Sequence, residues 1–377
     1  MSRGNLLEPS AMKRLGVFSL VVFAFLFVTS INHAQLPPAQ EYTRVNLVSD
    51  IAGVARFTDP NLVNPWGLVA SKTSPFWISD NNGNVSTLYN AEGQAFPVGN
   101  PLVVTIPSPT APTGGTPTGV VFNGTGDFVI SQGPKSGAAL FLFATEDGTI
   151  LGWNPNVSLK NAVIAKDNSG LGAVYKGLAI ASTANGNFIY ATNFNAGVVE
   201  MYDKSFTLVK TFTDANVDAN FAPFGIQNIN DELWVTFALQ KLPDKHDDQA
   251  GPGNGYVDVF DTEGNMIRRF ATKGTLNSPW GLVLAPVNFG KFSGHLLVGN
   301  FGDGRINAFD AVGGGFAGQF TDPQGNPLTI NGLWALRFGG GSANNGRTNQ
   351  LFFTAGIADE SHGLFGFIHA GPGGSGE

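Results

Sequence analysis

From about residue 43 onward the chain alternates short apolar runs with breaks rich in Gly, Asn and Asp, and no stretch sustains the 3.6-residue period of an amphipathic helix. Runs of β-branched and aromatic residues bounded by turn formers predict strands. One phrase recurs: Pro65-Trp66-Gly67, Pro117-Thr118-Gly119, Tyr175-Lys176-Gly177, Pro223-Phe224-Gly225, Pro279-Trp280-Gly281 and Asn331-Gly332-Leu333. The glycines lie 52, 58, 48, 56 and 51 residues apart, which predicts six units of about 53 residues. Each unit continues with a second run (76–79, 127–130, 188–191, 233–236, 296–299, 351–354) and a third (86–89, 140–143, 198–203, 257–261, 306–310, 364–368).

A fourth run follows in five units, at 102–106, 162–165, 208–213, 266–271 and 317–321, but the sixth unit ends without one. Residues 43–50 supply the missing strand from the other end of the chain. An all-β fold follows: a six-bladed β-propeller whose last blade is closed by the N-terminal strand, since an open ring would expose two sheet edges. The repeated Gly marks the innermost strand of each blade, where chains crowd around the axis.

Composition agrees with a turn-rich chain of buried sheets. Gly and Pro are 50 and 22 of 377 residues, about 19% together, against roughly 12% in ordinary globular chains. The 31 Phe and an apolar fraction of 42% argue against disorder. A net charge of −7 with no basic cluster larger than Arg268-Arg269 leaves nucleic acid without an electrostatic footprint. The absence of Cys removes disulfides, thiolate metal sites and Cys nucleophiles together. Gly313 to Gly315 and Gly339 to Gly341 lack the Lys-Ser/Thr and following helix of a phosphate loop.

The N-terminus reads as an export leader. Lys13-Arg14 precede an apolar run from Leu15 to Val28, shorter than a membrane span, with cleavage expected after Ala34 and a retained anchor as the alternative. The expected organisation is a signal peptide at 1–34, a linker at 35–42, the propeller at 43–369 and a tail at 370–377. The mature form is expected to be periplasmic or extracellular, monomeric and free of the membrane.

In a propeller, the loop leading into the first strand and the loop joining the second to the third share one face around the channel. There the sequence offers Asp80, Asn193, Asn300, Asp247, Asp248 and Asp359 as oxygen ligands for a hard cation such as Ca²⁺. The alternative is that Asn and Asp occupy tight turns because they tolerate left-handed backbone angles. The longest of these loops, 240–255, carries His246 between acids, and the matching loop of unit six carries Glu360 and His362. These three are the candidate general acids or bases, each loop being otherwise a solvated acidic segment. Trp66, Trp280 and Asn331, beside their anchors, are candidate ligand contacts, with packing between blades as the other role of the two indoles.

Several longer phrases carry a resemblance: Thr73-Ser74-Pro75-Phe76-Trp77, Ala144-Thr145-Glu146-Asp147-Gly148-Thr149-Ile150, Val174-Tyr175-Lys176-Gly177-Leu178, His246-Asp247-Asp248 with Gly251-Pro252-Gly253-Asn254-Gly255, and His362-Gly363-Leu364-Phe365-Gly366. From about Val45 to Ile368 the chain resembles an uncharacterised family of exported bacterial propellers, some with an exosortase-type C-terminal sorting segment. Residues Gly371 to Glu377 have neither the apolar span nor the basic end of that segment. More distantly, the stretch from Val298 to Asp310 is similar to an NHL repeat, and the fold class includes gluconolactonase-like calcium enzymes. The resemblance implies no catalytic residues. It leaves two readings: a scaffold binding an extracellular small molecule, glycan or protein through a polar, Ca²⁺-binding face, or a metal-dependent hydrolase or lactonase.

Overall fold

The computed structural model describes residues 41–371, so the leader and the last residues of the tail lie outside it. Among the described residues, helix is confined to two 3₁₀ turns, Ser169–Leu171 and Gly290–Phe292. The strands form a six-bladed β-propeller. Blade 1 comprises Pro65–Val69, Phe76–Asp80, Val85–Tyr89 and Val103–Thr105. Blade 3 (Tyr175–Thr183, Gly186–Asn193, Val198–Tyr202, Leu208–Phe212) and blade 4 (Phe221–Ile229, Glu232–Leu239, Tyr256–Asp261, Met266–Thr272) follow the same order. So does blade 5, with Pro279–Leu284, Leu296–Asn300, Ile306–Phe309 and Phe316–Gln319.

Blade 6 is closed as its missing strand requires. Leu333–Phe338, Leu351–Ile357 and His362–Ala370 are completed by Tyr42–Ser49, antiparallel with Tyr42 opposite Ala370 and Ser49 opposite Leu364. The two-residue strand Phe57–Thr58 adds a parallel edge.

Two expectations are corrected. In blade 2 the segment Val129–Gln132 is no second strand; it pairs only with Lys135–Ala138 as an inserted hairpin. The blade itself is Pro117–Phe122, Phe141–Thr145, Thr149–Trp153 and Val163–Asp167. The reason is burial: Val129 and Gln132 are exposed, whereas every residue of Phe141–Thr145 is buried, as a strand packed on both faces must be. In blade 6 the innermost small residue is Ala335, not Gly332. Leu336 pairs with Phe353 as Leu68 pairs with Ile78, which puts Ala335 in the place of Gly67. Gly332 lies just before the strand at φ 66, a turn conformation that glycine adopts without strain.

The anchor glycines are explained by the neighbouring blade. A Cβ at Gly225 would enter the backbone at Trp280, and one at Gly281 the backbone at Trp334. Threonines bind the same positions together across blades. Thr192 Oγ1 accepts from Gly177 N (2.7 Å) and donates to Phe224 O (2.7 Å). Thr354 Oγ1 accepts from Ala335 N (3.1 Å) and donates to Trp66 O (2.5 Å), sealing the joint between blades 6 and 1. Most of the core lies between blades, as where Val69, Trp77 and Leu88 meet Phe141, Leu151 and Trp153.

Candidate functional site: the channel mouth

The residues just before the anchors, one per blade, are Trp66, Thr118, Lys176, Phe224, Trp280 and Trp334. Four are aromatic, and they close the channel instead of lining an open pore. Trp334 stacks on Trp66 at 3.5 Å between centroids and on Phe301 at 4.0 Å, with Trp280 edge-on to both indoles and Phe224 tilted against Trp334. Burying these rings together is the main local gain, since each removes a large apolar area from water.

Lys176 is the only charged member of that ring, and it is 2% exposed. Its Nζ sits over the Trp66 ring (5.1 Å), forms an ion pair with Glu146 Oε1 and lies 3.8 Å from Asp247 Oδ1. The carboxylates come from loops joining second and third strands: Glu146 from blade 2, Asp247 from blade 4 and Glu360 from blade 6. Glu146 Oε2 accepts from Asn81 Nδ2 (2.8 Å), and Glu360 Oε2 from Asn64 Nδ2 (2.7 Å). Asn64 Oδ1 in turn accepts from Trp334 Nε1 (3.1 Å), which ties the acidic rim to the aromatic plug. The loop holding Glu360 is strained: Ala358, Asp359 and Glu360 all have positive φ, unusual for three consecutive non-glycine residues.

The electrostatics follow from this crowding. Burial pushes the Glu360 carboxyl up, Asn64 pulls it down, and Glu146 and Asp248 raise it further against Lys176. Burial likewise raises Asp248, opposed by Ser278 and Lys176. The hydrogen bond from His246 Nδ1 to Asp247 Oδ1 (2.9 Å) raises the imidazole and lowers the carboxyl. Glu146, His246 and Asp247 each offer a ligand atom, all within 4.8 Å of one another. One nitrogen and two carboxylate oxygens suit a borderline divalent metal better than Ca²⁺.

A cleft of about 410 Å³ opens beside the plug between blades 5 and 6. Asp303, Asn331, Asp359 and Glu360 line it, along with the backbone of Gly302 and Gly304. The expected residues therefore separate into groups. His246, Asp247, Asp248 and Glu360 gather around Lys176, and Asn331 and Asp359 share the cleft. His362 is elsewhere: its Nδ1 pairs with Asp50 Oδ2 at 2.6 Å, with no partner in common with His246.

Other expectations are corrected by burial. Trp66 is 2% exposed and spends its face on Trp334, leaving none for a ligand. Trp280 is partly exposed within the channel and donates Nε1 to Lys176 O (3.1 Å). Asp80 is fully buried in blade 1, where burial pushes its carboxyl well above the carboxylate range despite Thr87; that favours the uncharged form, the opposite of what Ca²⁺ needs. The Asn193 oxygen is saturated, accepting from Val174 N and Ala196 N, while Nδ2 donates to Glu200. Asn300 is buried too: its Nδ2 donates to Thr275 O and to Asp303 Oδ1 in the following turn, while its Oδ1, the atom a cation would take, has no partner among the described residues. The oxygen ring expected for Ca²⁺ is thus not assembled as one set.

Lys176 and Glu146 were missed as site residues, although Lys176 stands in a recurring phrase and Glu146 in one of the phrases that carry the resemblance. The available signal was that Lys176 is the one charge among positions otherwise held by aromatics and Thr.

Fold and mouth together define a β-propeller with a plugged channel and an acidic face. Among proteins of known sequence, the chain is 33% identical to uncharacterized protein R648 of Acanthamoeba polyphaga mimivirus over 85% of this chain and 78% of that protein. It is 32% identical to uncharacterized protein L690 of the same virus, covering 85% and 84%. The chain belongs to the family of these mimivirus proteins. These relatives are viral, so they lend no support to a bacterial, exported origin. No family model matches the chain. Among solved structures it resembles a streptogramin B lyase (TM-score 0.52, 12% identity, covering 87% of this chain and 97% of that one). It also resembles a catalytically inactive virginiamycin B lyase from Staphylococcus aureus with quinupristin (TM-score 0.53, 12% identity, 87% and 99%). At such identity the likeness concerns the fold.

Proposed function

We propose that the protein is a ligand-binding propeller whose recognition surface is the acidic channel mouth, taking a polar ligand rich in positive charge or hydroxyls, such as an amine or a glycan. The observation that carries this reading is the 410 Å³ cleft, where Asp303, Asp359 and Glu360 converge with no cationic side chain among the described residues that line it. A cleft with convergent polar groups on a rigid scaffold is the usual form of a small-ligand site. Ca²⁺ belongs to the same proposal, because these carboxylates are hard oxygen donors. Export through the leader and a monomeric state complete the reading. Calorimetry with spermidine, glucosamine and Ca²⁺ tests it: binding weakened by Asp359→Asn is expected, and silence toward all three at millimolar concentration would remove it.

A second reading, a metal-dependent hydrolase or lactonase, is favoured by the convergence of Glu146, His246 and Asp247. In that case the carboxylates of Glu146 and Asp247 would hold a divalent metal that polarises the substrate, and His246, oriented by Asp247 and left off the metal, would serve as base. Against it stands Lys176, whose ammonium already pairs with Glu146 and would have to be displaced. Turnover of lactone and phosphoester substrates, abolished by chelator and by His246→Ala, is the outcome this reading needs.

A further inference from the structure

The opposite end of the channel holds a different chemistry. The first strands of blades 1 to 3 end there in Leu68, Val120, Val121, Leu178 and Ile180, which wall a cup of about 380 Å³. Arg337, from the first strand of blade 6, lies in the wall of that cup. Its Nη2 donates to Ala70 O at 2.8 Å. A guanidinium carries five N–H donors, and this is the one protein hydrogen bond it makes among the described residues. None of the ion pairs of the described residues includes Arg337.

The contrast with Arg269 shows what is missing. Arg269 is desolvated too, but Asp258 and Asp214 both bind it and hold its pKa up. Burial pulls Arg337 down to about 10, and among the described residues no carboxylate forms an ion pair with it to oppose this, Asp231 of the same cup included. Arg337 is half-buried in the wall of the cup, and a charge so far withdrawn from water is ordinarily paired in native proteins. The aromatic plug separates this cup from the acidic mouth, and the space between them, beneath Trp280 and Gly281, is only about 30 Å³. The cup is therefore independent of the proposed function above.

We propose that this cup is a second ligand site, for a small organic carboxylate with an apolar body, held bidentately by Arg337 while the aliphatic wall covers the rest. A planar guanidinium fork matches a carboxylate in geometry and charge. A phosphate dianion is a poorer match, because the cup offers one cation and has Asp231 among its lining residues.

Calorimetry on the full chain, with 4-methylpentanoate as the probe, tests the site. The carboxylate should bind, while 4-methylpentanamide and inorganic phosphate bind at least about tenfold more weakly. Arg337→Gln should lose about tenfold or more in affinity, and Arg337→Lys should retain part of it. No binding by the wild type at millimolar carboxylate, or unchanged affinity in folded Arg337→Gln, would overturn the site. Equal binding of the amide or of phosphate would overturn the assigned chemistry, and that comparison needs no variant to fold.

Discussion

The two ends of one channel treat a cation on an innermost strand in opposite ways. At the mouth, Lys176 is enclosed by carboxylates from blades 2 and 4, with Glu360 of blade 6 close by; at the far end, Arg337 has a single carbonyl. Both cations sit on innermost strands of similar sequence, so the strands do not make the difference. The loops do. Those at the mouth include the long 240–255 segment and can bring acids inward, whereas the first and second strands of blade 4 meet at the far end through the tight Asn230-Asp231 turn. A propeller thus confines its charge chemistry to the face with the longer loops, and an unmatched charge on the other face marks a place where a ligand completes the structure.

The strongest way to break this comparison is to remove what separates the ends. Trp334→Ala deletes the ring stacked on Trp66 and Phe301 and strands Asn64 Oδ1, so a loss of about 4 kcal/mol in urea unfolding is expected. A loss below about 1 kcal/mol would show that the plug is not a packed barrier. Lys176→Met leaves Glu146 desolvated beside an apolar side chain, with an expected cost of about 3 kcal/mol. Adding Glu146→Gln should recover most of that loss, because the pair and not either residue is at issue.

Arg337→Met should behave in the opposite sense. Losing a half-buried charge that has no ion-pair partner offsets losing the Ala70 hydrogen bond, so unfolding free energy should stay within about 1 kcal/mol of wild type or rise. A loss as large as that of Lys176→Met would mean that the two ends are alike after all. The smallest effect is expected from His246→Asn. Its imidazole has a raised pKa, so its contribution is fully present below the ordinary value of 6.5 and disappears as pH rises through the folded value. Being largely exposed, the pair with Asp247 is worth under about 0.5 kcal/mol, so urea midpoints of variant and wild type should differ slightly at pH 5.5 and coincide at pH 9.

Much of the fold was legible because its signals are local. Turn residues, β-branched runs and the small residue at the axis recur in each blade, and the unpaired sixth unit called for residues 43–50. The two errors came where local chemistry was not unique. Gly332 mimics an anchor because a glycine in a turn and a glycine at the axis look alike in a string, and Val129–Gln132 has strand character wherever it packs. The same limit applied to the mouth. The acids of 240–255 and 358–362 were visible as loop residues, but Lys176 stood inside a strand-like phrase and Glu146 in a short turn with no distinguishing mark, and Asp80 and Asn193, read as loop residues, end the second strands of their blades, where their burial is not displayed by the sequence.

What the sequence determined by itself was the number of blades, the closing strand and the choice of loops rich in acid, because these depend on patterns within a few residues. Which charges meet was decided by tertiary structure alone. Glu146, Lys176, Asp247 and Glu360 lie in four different blades, and whether a cation among them is paired, like Lys176, or left open, like Arg337, depends on how the closed ring brings distant loops to one point.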